Sequence, residues 1–157
     1  MTKILIIEDE HVLNDMYAMK FTKEGFDVTS SYDGLAWLTQ ISHTHPDVIL
    51  LDIMMPGMNG FETLEAIRMQ TSSTCKIIMF TNVVDQEKLN EALSMGADWY
   101  LIKSNTTPAD AVKAVKNILG QAEKTNPTLY VQPGMNHLKM KNPNGWADID
   151  VDIHINI

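Results

Sequence analysis

Short apolar runs alternate with stretches of helical spacing through residues 1–122, and this alternation limits the fold more than any other feature of the chain. The runs lie at residues 3–8, around Val28, and at residues 48–52, 76–81 and 99–103. Between and after them, apolar residues recur at the spacing of a helix face. Strands that alternate with helices predict an α/β fold: a doubly wound parallel sheet with helices on both faces and right-handed crossovers.

Turn and capping residues mark the ends of these helices. Gly25 and Gly96 are expected to end the first and fourth helices, and Asp85 can cap the start of the fourth. Thr107 followed by Pro108 is a strong start signal for the fifth. The residues that mark the five predicted helices are Leu13, Met16, Tyr17 and Phe21; Leu35, Leu38 and Ile41; Phe61, Leu64, Ile67 and Arg68; Leu89, Ala92 and Leu93; and Val112, Val115 and Leu119.

The third apolar run, Val48–Leu51, leads directly into Asp52. A short apolar run bounded by turn signals is typical of a strand buried on both faces of a parallel sheet. Asp52 is therefore predicted at the carboxyl end of this strand, where open α/β sheets place their ligands. The ordinary role of such a residue is to cap the next helix, but that helix is expected to start near Gly60, too far away. A metal ligand or a nucleophile is favoured.

The other strands deliver further polar residues at their carboxyl ends. Glu8 and Asp9 follow the first strand, Thr81 ends the fourth, and Lys103 ends the fifth. Three carboxylates in one place repel one another unless a cation is present, and Mg²⁺ prefers such oxygen ligands. Singly, the threonine could be a turn residue and the lysine a solvated charge. Together with Asp52, these residues supply what is needed to hold a phosphoryl group.

Four motifs carry a resemblance to a known family. They are Ile-Leu-Ile-Ile-Glu-Asp-Glu at 4–10, Leu-Asp-Ile-Met-Met-Pro-Gly-Met-Asn-Gly at 51–60, Thr81, and Gly-Ala-Asp-Trp-Tyr-Leu-Ile-Lys at 96–103. Over residues 1–122 the chain resembles the receiver domain of bacterial two-component response regulators. The resemblance implies a flavodoxin-like, CheY-like sheet of five parallel strands in the order 2-1-3-4-5.

The resemblance also implies a role for each strand-end residue. Asp52 would be the phosphoacceptor. Mg²⁺ would be bound by Glu8, Asp9, Asp52 and the backbone carbonyl of Met54. Thr81 and Lys103 would contact the phosphoryl oxygens. Thr81 would also act as a switch together with Tyr100, the aromatic residue whose position changes on phosphorylation.

Two positions depart from the usual pattern of the family. The residue after the lysine is commonly a proline on a cis bond, whereas this chain has Ser104. Because a cis bond before a non-proline residue costs about 2.5–4 kcal/mol, a trans bond is favoured here. The residue after the threonine is commonly small, whereas this chain has Asn82. A side chain of that size is expected to narrow access to Asp52.

The leading hypothesis is a signalling module rather than an enzyme: a histidine kinase passes a phosphoryl group to Asp52, and a protein-binding face changes shape. A phosphohydrolase would need a second aspartate two residues after the nucleophile, where this chain has Met54. A flavin-binding module would need a phosphate loop after the first strand, where Glu8 and Asp9 would repel a phosphate. The alternative that stays open is a receiver-like binding or oligomerisation module that acts without phosphorylation, through its tail.

Composition narrows the expected partners and location. The formal net charge of −8 argues against nucleic acid or an anionic membrane as the main partner. No signal peptide or membrane-length apolar stretch is visible, and the single cysteine, Cys75, cannot form an internal disulfide. We therefore expect a cytoplasmic, stand-alone receiver that does not bind DNA directly. Its expected partners are a sensor histidine kinase or phosphotransfer protein and a downstream target protein.

Residues 123–157 are predicted to form a separate extension that contains a β-hairpin. Asn144-Gly145 is a strong signal for a two-residue turn, which would place Met140 opposite Ile149 and Leu138 opposite Val151. The same register would pair charged residues: Lys141 with Asp148, Lys139 with Asp150 and His137 with Asp152. A lone hairpin is only marginally stable, so a third strand at residues 128–132 and a covering surface are expected. The tail would pack on its own receiver or join two copies, and the homodimer is favoured.

Overall fold

The computed structural model describes residues 1–33, 36–57, 60–71, 74–82, 85–120, 137–142 and 145–150, the last two segments by their backbone. The strands of the first sheet are β1 (Lys3–Ile7), β2 (Asp27–Ser31), β3 (Val48–Leu51), β4 (Lys76–Thr81) and β5 (Trp99–Ile102). The helices are α1 (His11–Lys23), α2 (Ala36–Thr44), α3 (Gly60–Gln70), α4 (Gln86–Ser94) and α5 (Pro108–Ile118). Strands and helices alternate as the apolar pattern predicts.

All neighbouring strands of this sheet are parallel, and their order is β2-β1-β3-β4-β5. This confirms the doubly wound fold and its strand order. The register places Ile7 of β1 opposite Leu51 of β3. Asp52, the next residue, donates its backbone N–H to the Ile7 carbonyl at 3.0 Å. The carboxyl ends of the two central strands are therefore level, and the residues that follow them emerge side by side.

The sheet is buried on both faces, which explains why residues 4–7 of β1 and all of β3 are apolar. Leu5, Ile49 and Leu51 belong to a core cluster that packs against α2, α3 and α4. Ile4 and Leu50 belong to a second cluster, which includes residues of α1 and α5. Alternate residues of a strand point to opposite faces, so each strand supplies both clusters. The two cores hold the strand ends in fixed positions.

The predicted caps are present at the helix ends. Asp85 Oδ1 accepts the N–H of Glu87 at 3.0 Å, which caps α4. Thr107 and Asp110 form a reciprocal capping box at the start of α5. Gly96 follows α4 with a φ of 114°, a conformation that only glycine adopts without strain. These local signals confirm the predicted start and end of α4 and the predicted start of α5.

Three details of the sequence prediction are wrong. Met16 of α1 and Leu38 of α2 lie at the helical spacing of apolar residues that predicts a buried face, but they are 44% and 45% exposed. Instead, α1 buries Asn14 and α2 partly buries Trp37. The face of each helix that packs against the sheet is thus rotated about the helix axis relative to the predicted apolar face. The fifth strand ends at Ile102 rather than at Lys103. Lys103 begins a single 3₁₀ turn, Lys103–Asn105, which leads toward α5.

The two strands of the tail, β6 (His137–Asn142) and β7 (Gly145–Asp150), pair in antiparallel orientation. The predicted register is wrong by two residues, since Met140 is opposite Ala147 and Leu138 is opposite Ile149. The predicted register would have required Pro143, which has no N–H, to pair within the ladder, where proline is disfavoured. The predicted third strand at residues 128–132 and residues 151–157 lie outside the described residues.

The longest helix of the described part, α1, has 13 residues. Crossing the apolar layer of a bilayer takes about 20 consecutive apolar residues in a helix. None of the helices that the structure describes is long and apolar enough to do so.

Candidate functional site

Three carboxylates meet at the carboxyl ends of β1 and β3. Glu8 and Asp9 directly follow β1, and Asp52 directly follows β3; one ligand oxygen from each lies within 4.8 Å of the others. Glu8 is 1% exposed and Asp52 is 2% exposed, whereas Asp9 is half-buried. The level ends of the two strands produce this convergence. So many acidic oxygens at one buried edge favour a bound cation.

Lys103 reaches into this acidic group from the turn after β5. Its Nζ lies 2.7 Å from Asp52 Oδ2 and also forms an ion pair with Glu8 Oε2. The ammonium lies 5.5 Å from the centre of the Phe80 ring, within cation–π range. Burial by itself would lower the pKa of Lys103, but its bonds to Asp52 and Glu8 outweigh burial and raise that pKa. Lys103 is therefore a fixed positive charge beside Asp52.

Glu8 is the carboxyl group most affected by its surroundings. Burial raises its pKa from 4.5 to about 7, against the opposing effects of Lys103 and of the Glu10 N–H. The Glu10 N–H donates to Glu8 Oε1 at 3.1 Å. The repulsion of the Asp52 carboxylate also contributes to the increase. Near neutral pH Glu8 is therefore about half protonated, and a divalent cation would compete with its proton.

The donor set fits Mg²⁺, because carboxylate oxygens are the ligands this ion prefers. Both oxygens of Asp52 already have partners in the protein. Oδ2 accepts from Lys103, and Oδ1 accepts the backbone N–H of Met54 at 2.9 Å. The side chain of Met54 is 66% exposed, so it does not fill the space beside the carboxylates. The Met54 carbonyl belongs to the same short loop after Asp52.

The two predicted switch residues lie on adjacent strands. Thr81 is the last residue of β4, is fully buried, and is opposite Ile102 of β5. Tyr100 lies two residues earlier on β5 and is 5% exposed. Its ring stacks on Trp99 with centroids 5.5 Å apart, and burial raises its pKa to about 12. Both residues therefore lie within the core that adjoins the acidic group.

The two positions that depart from the family pattern contact each other. The Lys103–Ser104 peptide bond is trans, in line with the expectation for a non-proline residue. The Ser104 N–H donates to Asn82 Oδ1 at 3.1 Å. Asn82 is exposed. Its carboxamide oxygen is thus used in a bond to the turn after β5, beside Lys103.

Asn14 of α1 is a site-adjacent residue that the sequence reasoning missed. It is 1% exposed, and its Nδ2 donates to the carbonyl of Glu8 at 3.0 Å and to that of Ser31 at 3.2 Å. Its Oδ1 is buried and accepts no hydrogen bond from the described part of the chain. The available signal was a polar residue between Leu13 and Tyr17 in an otherwise apolar stripe. Asn14 anchors the backbone that carries the first carboxylate.

Comparison with known proteins supports the same assignment. The family model described as the response regulator receiver domain matches residues 4–116. The chain belongs to this family. This confirms the resemblance that the four motifs carry, and receiver domains are phosphoacceptor signalling modules rather than classical enzymes.

Similar proteins include two curated response regulators. The DNA-binding response regulator MtrA of Mycobacterium leprae is 36% identical over 101 residues, which cover 64% of this chain and 44% of MtrA. The sensory transduction protein RegX3 of Mycobacterium tuberculosis is 38% identical over 103 residues, covering 66% of this chain and 44% of RegX3. The matched part is thus less than half the length of either relative.

Solved receiver structures share the fold over most of their length. The chemotaxis protein CheY4 of Vibrio cholerae has a TM-score of 0.69 at 30% identity, covering 74% of this chain and 98% of that one. A two-component response regulator from Clostridium difficile has a TM-score of 0.72 at 26% identity, covering 77% and 98%. These values confirm the fold of the receiver domain.

The expectation that excluded direct DNA binding is overturned by these relatives. It rested on the net charge of −8. MtrA is named a DNA-binding response regulator and carries the same receiver domain. The charge of a receiver domain therefore does not report on DNA binding, because the domain shared with MtrA is only 44% of that protein.

Proposed function

We propose that this receiver domain accepts a phosphoryl group on Asp52 from a histidine kinase or a phosphotransfer protein. The observation that supports this most directly is the contact of the buried Asp52 carboxylate with Lys103 at 2.7 Å, beside Glu8 and Asp9. In the transfer, a carboxylate oxygen of Asp52 bonds to phosphorus as the phosphorus–nitrogen bond of the donor histidine breaks. The bonding electrons pass to the leaving imidazole.

The surrounding residues have separate tasks in this proposal. Glu8, Asp9, Asp52 and the Met54 carbonyl would hold Mg²⁺, which when bound neutralises the charge of the phosphoryl oxygens. Lys103 would leave Asp52 Oδ2 and donate to a phosphoryl oxygen, and the Thr81 hydroxyl would donate to another. These groups stabilise charge where it develops during transfer. The Met54 N–H would keep the other oxygen of Asp52 in place.

The change in the partner surface would start at Thr81. A hydroxyl drawn toward the phosphoryl group leaves space on the Tyr100 side of the β4–β5 pair. Tyr100 and the surface around it would adjust to that space, which is a shift between two populated states rather than a new fold. A downstream target protein would then bind the phosphorylated form more tightly.

The function is tested by incubating the full chain with Mg²⁺ and acetyl phosphate and measuring the intact mass. We expect one phosphoryl group per chain that hydroxylamine removes, as for an acyl phosphate, and no uptake with excess chelator. Asp52→Asn is expected to abolish uptake. Asp27→Asn, at an exposed position at the start of β2, is the matched control. Phosphoryl uptake by Asp52→Asn would disprove the assignment of the phosphoacceptor.

We also propose that residues 1–122 form the receiver unit and that residues 123–157 are a separate extension. The family match ends at residue 116, and α5 ends at Ile118. Deleting residues 123–157 should therefore leave phosphoryl uptake by acetyl phosphate unchanged. A large loss of uptake in the shortened chain would show that the extension is part of the receiver unit.

A further inference from the structure

One side-chain hydrogen bond joins the end of β4 to the turn after β5, beside the candidate site. The Ser104 N–H donates to Asn82 Oδ1 at 3.1 Å. Thr81 and Ile102 are the last paired positions of the β4–β5 ladder, so this bond lies just beyond the ladder. Lys103 thus lies between Ile102, which pairs with Thr81, and Ser104, which is hydrogen-bonded to Asn82.

This bond joins a backbone donor, the Ser104 N–H, to a side-chain acceptor, Asn82 Oδ1. A proline after Lys103 would have no N–H, whereas the N–H of Ser104 is available as a donor. An alanine or glycine after Thr81 would offer no side-chain acceptor, whereas Asn82 offers a carboxamide oxygen. The two departures from the family pattern therefore form one structural unit. Asn82 accepts a hydrogen bond from the backbone N–H that a proline at position 104 would lack.

We propose that Asn82 is a positioning residue that, through Ser104, fixes the spacing between Thr81 and Lys103. This inference rests on the proposed function, in which those two residues contact the phosphoryl oxygens. Lys103 reaches Asp52 from a backbone whose next residue is held by Asn82. A small displacement of that backbone moves the ammonium away from the phosphoryl oxygens, and such misplacement slows a reaction strongly.

The proposal predicts different effects on the rate of phosphoryl transfer and on the affinity for Mg²⁺. A general structural role of the bond would change both together. The predicted Mg²⁺ ligands come from the ends of β1 and β3, which Asn82 does not join. Loss of the bond should therefore slow phosphoryl transfer while leaving the affinity for Mg²⁺ within about twofold. We expect the transfer rate to fall about three- to tenfold, the usual range for one hydrogen bond.

A double-mutant cycle on the full chain tests this inference. Asn82→Ala removes the acceptor, and Ser104→Pro removes the donor. Each variant and the double variant are phosphorylated with acetyl phosphate at saturating Mg²⁺, and the affinity for Mg²⁺ is measured by titration. Because the double variant has no further bond to lose, we expect it to react no more slowly than the slower single variant. The cycle also cancels any separate effect of proline on the backbone.

Two further variants serve as comparisons. Ser104→Ala is the conservative variant that keeps the backbone N–H, and it should retain the bond and the rate. Asn105→Ala makes the same truncation as Asn82→Ala at an exposed position of the same turn. Independent, multiplying effects of Asn82→Ala and Ser104→Pro would overturn the proposal. Wild-type rates of phosphoryl transfer in both single variants would also overturn it.

Failure of this inference can be distinguished from failure of the proposed function. If the wild-type chain takes up no phosphoryl group, the proposed function is wrong and this inference falls with it. If the wild type is phosphorylated on Asp52 and the cycle shows no coupling between Asn82 and Ser104, only this inference is wrong. An equal loss of rate and of Mg²⁺ affinity would assign the bond a general structural role instead.

Discussion

The sheet has an ion-paired group at each end, and the two groups are built differently. At the amino ends of β4 and β5, the Arg68 guanidinium donates to Asp98 at 2.9 Å and to the carbonyls of Gly96 and Cys75 at 2.6 and 2.8 Å. Asp98 also accepts the N–H of Ile77 at 2.9 Å. This group pairs one cation with one carboxylate and satisfies both with backbone partners.

The group at the carboxyl ends has an excess of negative charge. Lys103 contacts the carboxylates of Glu8 and Asp52, and Asp9 lies within reach of both. Burial, with a smaller contribution from the Asp52 carboxylate, raises the pKa of Glu8 to about 7. Buried charges without full compensation are costly, so they persist where something else is to be bound. The balanced group stabilises the fold, and the unbalanced one is suited to binding a cation and a phosphoryl group.

The largest expected effect distinguishes the role of Lys103 from that of Arg68. Lys103→Ala should lower the rate of phosphoryl uptake from acetyl phosphate by about 10²–10³-fold, the typical cost of removing one charge-stabilising donor. Lys113→Ala, at an exposed position on α5, is the control of equal charge. A Lys103→Ala protein that is phosphorylated at the wild-type rate would show that this lysine only balances charge in the resting site.

The next effect concerns stability rather than chemistry. Arg68→Ala should lower the free energy of unfolding by about 2–3 kcal/mol, because Asp98 stays buried without its cation and two carbonyls lose a donor. Urea unfolding measures this change. Arg68→Lys keeps the charge but loses the fork of donors, so a smaller loss is expected. Phosphoryl uptake by the folded fraction should not change, and a marked loss there would contradict the division of roles between the two groups.

The pH dependence of stability tests the raised pKa of Glu8. The folded pKa of Glu8, about 7, is above its ordinary value of 4.5, so proton binding favours the folded state. This contribution is fully present below pH 4.5 and is lost as the pH rises through 7. With chelator present, the free energy of unfolding of the wild type should therefore fall more between pH 5 and pH 8 than that of Glu8→Gln. Identical pH profiles would mean that Glu8 ionises normally.

The smallest expected effect concerns Asn14, which holds the carbonyl of Glu8. Asn14→Leu leaves two carbonyls without this donor but also removes a buried oxygen that has no donor in the described part of the chain. The two effects partly offset each other, so the loss of stability should be about 1 kcal/mol. The affinity for Mg²⁺ should fall about tenfold, the lower end of the range for groups that orient metal ligands, because Asn14 acts through the backbone of Glu8. Asn117→Leu on α5 is the matched control. An unchanged Mg²⁺ affinity would show that Asn14 does not orient the acidic group.

The elements that were predicted well depend on local chemistry. Val48–Leu51 is apolar at every position because both faces of β3 are covered. The capping box at Thr107 and the left-handed glycine at Gly96 act within a few residues of their own position. Local signals failed for Met16 and Leu38, because the packing of each helix on the sheet determines which of its side chains are buried. The residue that each helix buries depends on how the helix docks on the sheet, and hydrophobicity alone does not fix that angle.

The sequence by itself determined the order of elements and the residues that follow each strand. Because parallel strands end at one edge, it also determined that Glu8, Asp9, Asp52 and Lys103 would meet there. Only the tertiary structure decided how these charges share partners: the two contacts of Lys103, the raised pKa of Glu8, and the Asn82–Ser104 bond. The same holds for the Arg68–Asp98 pair. Distances between residues far apart in the chain set the strength of each interaction, and no sequence pattern records those distances.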